Sequence, residues 1–303
     1  MKNRNLSVFI LAAGLGTRLN PLTQQMPKPL VPIVDQTILG HQRQLVQTLG
    51  NVPVHINAHH LANQVETAAL QLGFERVWKE FPEILGTGGP LHRFYKEGGR
   101  GDLLVLNSDC YCKFDLEKFI CNAENSGADV ALLAVDFAPV NTLVVNENGF
   151  LSGVKNYCGE ERGLSLTFSG VSWYSERALR EIRESEKNAV HFWKREIERG
   201  NLPWVDMSQK DSLWIDMGTP QGLWNATCAR LDELGLDSWI HPEHPLAASG
   251  WIKHSSRSVV QKNVQVNASV RLKNVLLLDG ANVSERELQN EIRGTGFSWE
   301  IQG

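Results

Sequence analysis

The stretch Val8-Phe9-Ile10-Leu11-Ala12-Ala13-Gly14-Leu15-Gly16-Thr17-Arg18 decides the fold, and Lys28 of Pro27-Lys28-Pro29 follows ten residues after Arg18. The apolar run Val8 to Ala12 reads as a buried first strand that opens into a glycine loop. Bare glycine backbone can come close to a phosphate or a base, and its amide hydrogens point at anions. Arg18 and Lys28 add two fixed cations. A P-loop is excluded because no Gly-Lys-Ser/Thr follows, and the dinucleotide fingerprint is excluded because Leu19 stands where its third glycine belongs. Lys2 and Arg4 ahead of the apolar run imitate a secretory signal. The run is shorter than the roughly 7 to 15 residues of a signal's apolar region, and Gly14, Gly16 and Arg18 interrupt it at once.

Working outward, short apolar runs alternate with helical patterns over the first two-thirds of the chain. That alternation predicts an α/β fold, a Rossmann-like, mostly parallel mixed sheet with helices on both faces. Strands are expected at residues 54–57, 76–79, 103–106, 130–135 and 166–173, and helices at 37–49, 61–72 and 176–184. Two tryptophan-bearing pieces, 204–207 and 213–217, are expected to finish the sheet. Thr219 and Pro220 make a helix start for residues 221–234, so a first domain is expected to occupy residues 1–235.

Residues 236–303 read differently. Val260, Val266, Leu272, Leu278 and Ser284 recur every six residues, with Val264, Val270 and Leu276 in a second series. A six-residue period suits stacked coils, so the tail is expected to be a linker and a short left-handed β-helix of hexapeptide repeats. Its open end would expose strand edges, and a second copy covering them predicts a homodimer through this region. The chemistry is expected to stay in residues 1–235.

The composition sets outer limits. With 303 residues, 42% of them hydrophobic, the chain can bury a full core, and a formal net charge of −4 argues against a nucleic-acid or membrane-surface partner held by bulk charge. Five cysteines (Cys110, Cys112, Cys121, Cys158, Cys228) form neither a disulfide framework nor a zinc-spaced set, which fits a reducing cytoplasm. Cys110 and Cys112 read as core cysteines. No run approaches the roughly 20 apolar residues of a membrane span.

Further motifs follow in order: Glu83-Ile84-Leu85-Gly86-Thr87-Gly88-Gly89-Pro90-Leu91, Leu104-Val105-Leu106-Asn107-Ser108-Asp109, Thr167-Phe168-Ser169-Gly170 and Trp214-Ile215-Asp216-Met217-Gly218-Thr219-Pro220. Asp109 and Asp216 each follow an apolar strand, where a carboxylate at the C-terminal edge of a parallel sheet faces a ligand crevice. Two such carboxylates can share Mg²⁺, which keeps waters and bridges to phosphate oxygens.

With the glycine loop and Pro-Lys-Pro, these motifs resemble the sugar-1-phosphate nucleotidyltransferases over residues 6 to about 235. The resemblance implies an enzyme that joins an NTP and a sugar 1-phosphate into an NDP-sugar and pyrophosphate. It implies catalytic roles for Arg18, Lys28, Asp109 and Asp216, the two aspartates holding Mg²⁺. It implies nucleotide contacts from Leu11, Ala13, Gly14, Gly16, Thr17, Glu83, Gly86 and Gly88, and sugar-phosphate contacts from Asn107 and Gly170. Many relatives carry a Glu-Lys-Pro whose lysine holds the sugar phosphate; here Lys155, in Gly153-Val154-Lys155-Asn156-Tyr157, is the nearest candidate. Glu80 and Glu83 read as loop glutamates able to accept from a base edge or sugar hydroxyls. Asn57 and His60 recur near the site in bacterial relatives.

The substrate pair stays open. The motif around Gly86, the Asn107-Ser108-Asp109 strand end and the hexapeptide tail resemble mannose-1-phosphate guanylyltransferases. The Phe168-Ser169-Gly170 and Trp214 motifs resemble N-acetylmuramate-1-phosphate uridylyltransferases equally well. A cytidylyltransferase for phosphocholine would need an aromatic cage, for which Trp78, Trp173, Trp204 and Trp214 are candidates. A non-catalytic regulatory subunit that binds a nucleotide sugar is the reading from another class.

Overall fold

The computed structural model describes residues 5–303, so Lys2 and Arg4 lie outside the described residues. Two compact units share the chain. The first gathers residues 5–14, 42–108 and 112–214, and the second gathers 15–41, 109–111 and 215–303.

The first unit is built on a mixed sheet whose strands run in the order Arg76–Lys79, Val54–Ala58, Leu6–Leu11, Asp102–Asn107, Leu164–Tyr174, Val130–Val135, Trp204–Asp206. All pair in parallel except Leu164–Tyr174, which is antiparallel to both of its neighbours. Val8, Phe9 and Ile10 are consecutive and all fully buried, so both faces of the central strand are covered. Three short strands, Leu143–Val145, Leu151–Val154 and Cys158–Gly159, extend the sheet from the start of Leu164–Tyr174.

Most expected strands stand within a residue or two of their places. Trp214–Asp216 does not join the large sheet; it makes a two-stranded ladder with Cys110–Cys112, so only Trp204–Asp206 finishes the sheet. Three helices went unread: Gly89–Lys96, Leu116–Ser126 and Ala189–Glu198. Two of them carried a legible signal. Asp115 accepts from Lys118 N–H, and Asn188 accepts from Val190 N–H, each as an N-cap. Cys110 and Cys112 are buried, as read.

His55 sits in this core against Phe9, Trp78 and Phe94, with ring centroids 5.3 to 6.3 Å away. Burial, helped by the Arg76 charge, lowers its pKa to about 4 from the ordinary 6.5. The unfolded chain therefore binds a proton between pH 6.5 and 4 that the folded chain does not. Stability is complete above pH 6.5 and falls as the pH drops toward 4, by roughly 1 to 3 kcal/mol once solvent screening is allowed for. Urea midpoints measured from pH 7 to 4 should show this slope in the native chain and a flatter one in His55→Phe.

In the second unit, the helix Pro220–Leu234 starts on Thr219, whose Oγ1 accepts from Gly222 N–H, and ends on Gly235 in the left-handed region. After it the strands Trp239–Ile240, Ser256–Val260, Arg271–Leu277 and Glu287–Gly294 pair in parallel, coil upon coil: Val259 stands beside Leu276, and Leu276 beside Ile292. The strand Phe297–Glu300 then folds back antiparallel on Glu287–Gly294 and covers its outer edge. The six-residue series points inward at Val260, Val264, Val270, Leu272, Leu276 and Leu278, whereas Val266 is half-buried. Ser284 is exposed; Val283 takes the buried place beside it. One core joins Leu223, Trp224 and Leu231 of the helix to Val259, Leu276, Leu278, Ile292 and Ile301 of the coils and to Val31, Ile33, Tyr111 and Met217.

Candidate functional site

The glycine loop begins where the strand Leu6–Leu11 ends opposite Asn107. Leu11 O accepts from both the amide and the hydroxyl of Ser108, at 3.1 and 2.7 Å, and Ala13 is buried. The two glycines of the loop differ. Gly16 has φ +63°, and a Cβ there would lie 2.9 Å from Thr23 Cγ2 and 3.2 Å from Lys28 Cβ, so the loop's own packing demands glycine. Gly14 has neither a left-handed φ nor any atom within 4 Å of a would-be Cβ. Only something that comes to the loop from outside would feel a methyl there. Gly14→Ala is thus expected to keep its melting temperature within about 2 °C, a surface-substitution effect, while the KM for a nucleotide rises at least about tenfold; calorimetry and kinetics on one preparation check both halves.

In the second unit, Thr17 opens the short turn Thr17–Leu19 that carries Arg18. Arg18 Nη1 lies 3.5 Å from Asp216 Oδ2, and Lys28 Nζ lies 3.4 Å from Asp109 Oδ2. Met217 N–H donates to Asp109 O, so residues 109 and 216 hold neighbouring backbone positions, and Asp216 Oδ1 accepts from Gly218 N–H. A Cβ at Gly218 would strike the Arg18 guanidinium. The four residues expected to be catalytic are therefore brought together as two cation–carboxylate pairs. The Lys28 side chain is only 10% exposed, whereas the Asp109 and Asp216 side chains reach solvent. A lysine held this dry needs an anion beside it.

Within the first unit the structure alters several expectations. Gly86 and Gly88 face other backbone: a Cβ at Gly86 would sit 2.2 Å from Lys187 O, and one at Gly88 2.1 Å from Glu186 O. The close approach of residues 186–187 thus requires both glycines, whatever else the loop does. Glu83 is exposed and pairs with Lys187 at 3.1 Å. Glu80 is no exposed loop glutamate; it is buried and both its oxygens are already bonded, to Asn57 and to Leu85 N–H. Asn57 is likewise fully buried. Gly170 has φ +87° in a bulge of Leu164–Tyr174, and a Cβ there would lie 3.0 Å from Asn107 Cβ, so these two expected sugar-side residues touch. Lys155 follows the strand Leu151–Val154, its N–H on Thr142 O; among the described residues no hydrogen bond or ion pair joins it to Asn107 or Gly170. His60 stands just before the helix Ala62–Gln71. Beside Asn107, a cavity of about 130 Å³ is lined by Leu11, Phe168, Tyr174, Val190 and Trp193. Sequence reading missed this lining, because its aromatics look like ordinary core.

Residues 7–143, which carry the glycine loop, the Gly86 loop and Asp109, match the family described as Nucleotidyl transferase. This stretch belongs to that family. The nucleotidyl transferase match has curated relatives of modest identity. The catalytic subunit beta of mannose-1-phosphate guanylyltransferase from Drosophila melanogaster is 28% identical over 245 residues, which is 75% of this chain and 63% of that protein. The bifunctional protein GlmU of Methanococcus maripaludis is 28% identical over 237 residues, 71% of this chain and 52% of that one. The chain thus spans less than two thirds of the length of these relatives. The crystal structure of HddC from Yersinia pseudotuberculosis shares the fold, with a TM-score of 0.58 at 22% identity over 73% of this chain and 97% of that one.

Proposed function

We propose that this nucleotidyl transferase joins an NTP and a sugar 1-phosphate, with GTP and mannose 1-phosphate the favoured pair. A phosphate oxygen of the sugar phosphate attacks the α-phosphorus in line, the bond from that phosphorus to the oxygen bridging to the β-phosphate breaks, and pyrophosphate leaves. Such a reaction asks for positioning and charge neutralisation, and no protein nucleophile is needed. The observation that carries the reading is the double pair Arg18–Asp216 and Lys28–Asp109. Arg18 and Lys28 hold the triphosphate and the departing pyrophosphate, and the glycine loop of Leu11, Ala13, Gly14, Gly16 and Thr17 meets the nucleotide with its backbone. Gly86, Gly88 and Glu83 line the nucleoside, and Asn107, Gly170 and Lys155 serve the sugar phosphate.

Asp109 and Asp216 offer only oxygen donors, on neighbouring backbone positions, and among the described residues no third His, Cys, Asp or Glu completes a cage. That donor set fits Mg²⁺, which keeps waters and takes phosphate oxygens. When bound it would neutralise charge on the triphosphate. The guanylyl and mannosyl preference rests on the Drosophila relative's name. The phosphocholine reading loses support because Trp78 and Trp173 are buried in the core and cannot line a cage. Residues 1–235 carry these roles. Residues 236–303 form the linker and a left-handed β-helix of hexapeptide coils that joins a second copy; the outer edge of Glu287–Gly294 is covered by the chain's own strand Phe297–Glu300 and not left open as expected, so the second copy would meet the half-exposed Phe297 and Trp299 of that last strand. Five free thiols and the absence, among the described residues, of a helix able to cross a membrane agree with work in the cytoplasm.

The test is a pyrophosphate-release screen of four NTPs against sugar 1-phosphates and phosphocholine, with light scattering of the same preparation. GTP with mannose 1-phosphate should turn over fastest, in a dimer. Turnover with UTP and N-acetylmuramate 1-phosphate would move the reading to the uridylyl alternative, and nucleotide-sugar binding without any turnover would make the chain a regulatory subunit.

A further inference from the structure

At the C-terminal edge of the first unit's sheet, three adjacent strands are tied side by side by two buried side chains. Asn57, 0% exposed, lies near the end of Val54–Ala58, and Glu80, 1% exposed, directly follows Arg76–Lys79. Ala12 N–H donates to Asn57 Oδ1 at 2.6 Å, Asn57 Nδ2 donates to Glu80 Oε1 at 2.7 Å, and Leu85 N–H donates to Glu80 Oε2 at 2.7 Å. Glu80 N–H in turn donates to Ala58 O, and the carbonyl of Glu80 lies 2.8 Å from His59 Nδ1. Ala12 is the first residue past the strand Leu6–Leu11, where the chain leaves the sheet toward Gly14. Leu85 is the residue before Gly86. The chain of bonds therefore begins at the root of one loop and ends at the root of the other.

Stability alone is a weak reason for this arrangement. A buried carboxylate that meets only neutral hydrogen-bond donors is costly, and burial raises the pKa of Glu80 against the help of Asn57 and Leu85. Arg93, whose charge also favours the Glu80 carboxylate, gives its Nη1 to Lys79 O. What the carboxylate achieves that an apolar residue could not is to accept two N–H groups at once. We propose that Asn57 and Glu80 are positioning residues that set the loop after Ala12 and the loop after Leu85 in one fixed relation, so that nucleotide affinity depends on a relay neither loop contains. This deepens the nucleotidyl transferase reading and rests on it.

The polarity of the relay makes it testable by exchange. Glu80→Gln alone leaves an amide N–H₂ facing either Leu85 N–H or the Asn57 amide, donor against donor. Asn57→Asp alone sets two carboxylate oxygens against each other. Made together, Asn57→Asp and Glu80→Gln restore every bond: the position-57 carboxylate accepts from Ala12 N–H and from the position-80 amide, whose oxygen accepts from Leu85 N–H. Each single variant is expected to raise the KM for the NTP about 10- to 100-fold with kcat changed less than about fivefold, and the double variant to return within about fivefold of the native KM.

Hydrogen exchange at Ala12 and Leu85 gives a readout independent of turnover. Both amides should lose protection in each single variant and regain it in the double. If the native chain shows no turnover with any substrate pair but the exchange pattern holds, the activity reading fails and the relay stands as a structural tie between loops. Unchanged protection in the single variants overturns the relay. So does a double variant with a KM no better than either single, or a kcat loss in place of the KM rise.

Discussion

Asp109→Asn and Asp216→Asn are each expected to lower turnover by about two to four orders of magnitude, the scale of losing preorganised charge stabilisation in a nucleotidyl transfer. Both changes are nearly isosteric. At Asp216 the asparagine Oδ1 still accepts from Gly218 N–H, so the turn before the helix Pro220–Leu234 keeps its bond. What disappears is one negative charge opposite a cation, Lys28 for Asp109 and Arg18 for Asp216. Without its carboxylate the cation is left to the nucleotide's phosphates, so metal-free nucleotide affinity should hold or tighten while turnover with Mg²⁺ collapses. Calorimetric titration with the NTP in EDTA, set beside steady-state rates in Mg²⁺, separates the two. Full turnover in EDTA, or in either variant, would remove these carboxylates from the chemistry.

A chain ending at residue 238 should lose soluble expression and all activity, although it contains every residue assigned to the reaction. The sequence pattern suggests a tail that could be cut away, and the core of the second unit shows why cutting it is costly. Leu223, Trp224 and Leu231 share their burial with Val259, Leu276, Ile292 and Ile301. Gln261 Nε2 donates to Val34 O inside the same region, and Arg257 pairs with Asp232 on the helix. Arg18, Lys28, Asp109 and Asp216 all belong to this unit. A milder version, Ile292→Ala, removes a fully buried side chain and should cost about 2 to 5 kcal/mol, read as a lower denaturant midpoint. Normal turnover per folded molecule in a chain ending at 238 would show that the catalytic pairs stand without the coils.

The elements legible in the sequence share a property: their signals are local. Val8-Phe9-Ile10 is apolar at consecutive positions because a central parallel strand is covered on both faces, and that run reads directly as a strand. Thr219-Pro220 announces its helix because a cap acts on the next turn. In the tail, six of the eight residues in the two six-residue series are buried, because apolar residues at a regular spacing mark inward positions along the chain. The helices Leu116–Ser126 and Ala189–Glu198 were missed although their caps, Asp115 and Asn188, stood in the sequence: Asp115 is followed by Leu116, Phe119, Ile120 and Ala123 at helical spacing, a local signal that was legible, whereas after Asn188 the period of Ala189, Phe192 and Trp193 runs into the charged Glu196, which only the fold buries.

By itself, then, the sequence determined the strand, the glycine loop, the alternation of strands and helices, and the order of the charged motifs, since each is written in neighbours a few residues apart. Tertiary structure decided the rest. Only the approach of residues 186–187 makes Gly86 and Gly88 obligatory on packing grounds, and only the stacking of three strand ends turns Glu80 from a loop glutamate into a buried acceptor for Asn57 and Leu85. Whether the tail stands apart or shares a core with Trp224 depends on which apolar faces meet. Burial and close approach arise between segments tens to hundreds of residues apart, and no periodicity within one segment encodes which distant surface will cover it.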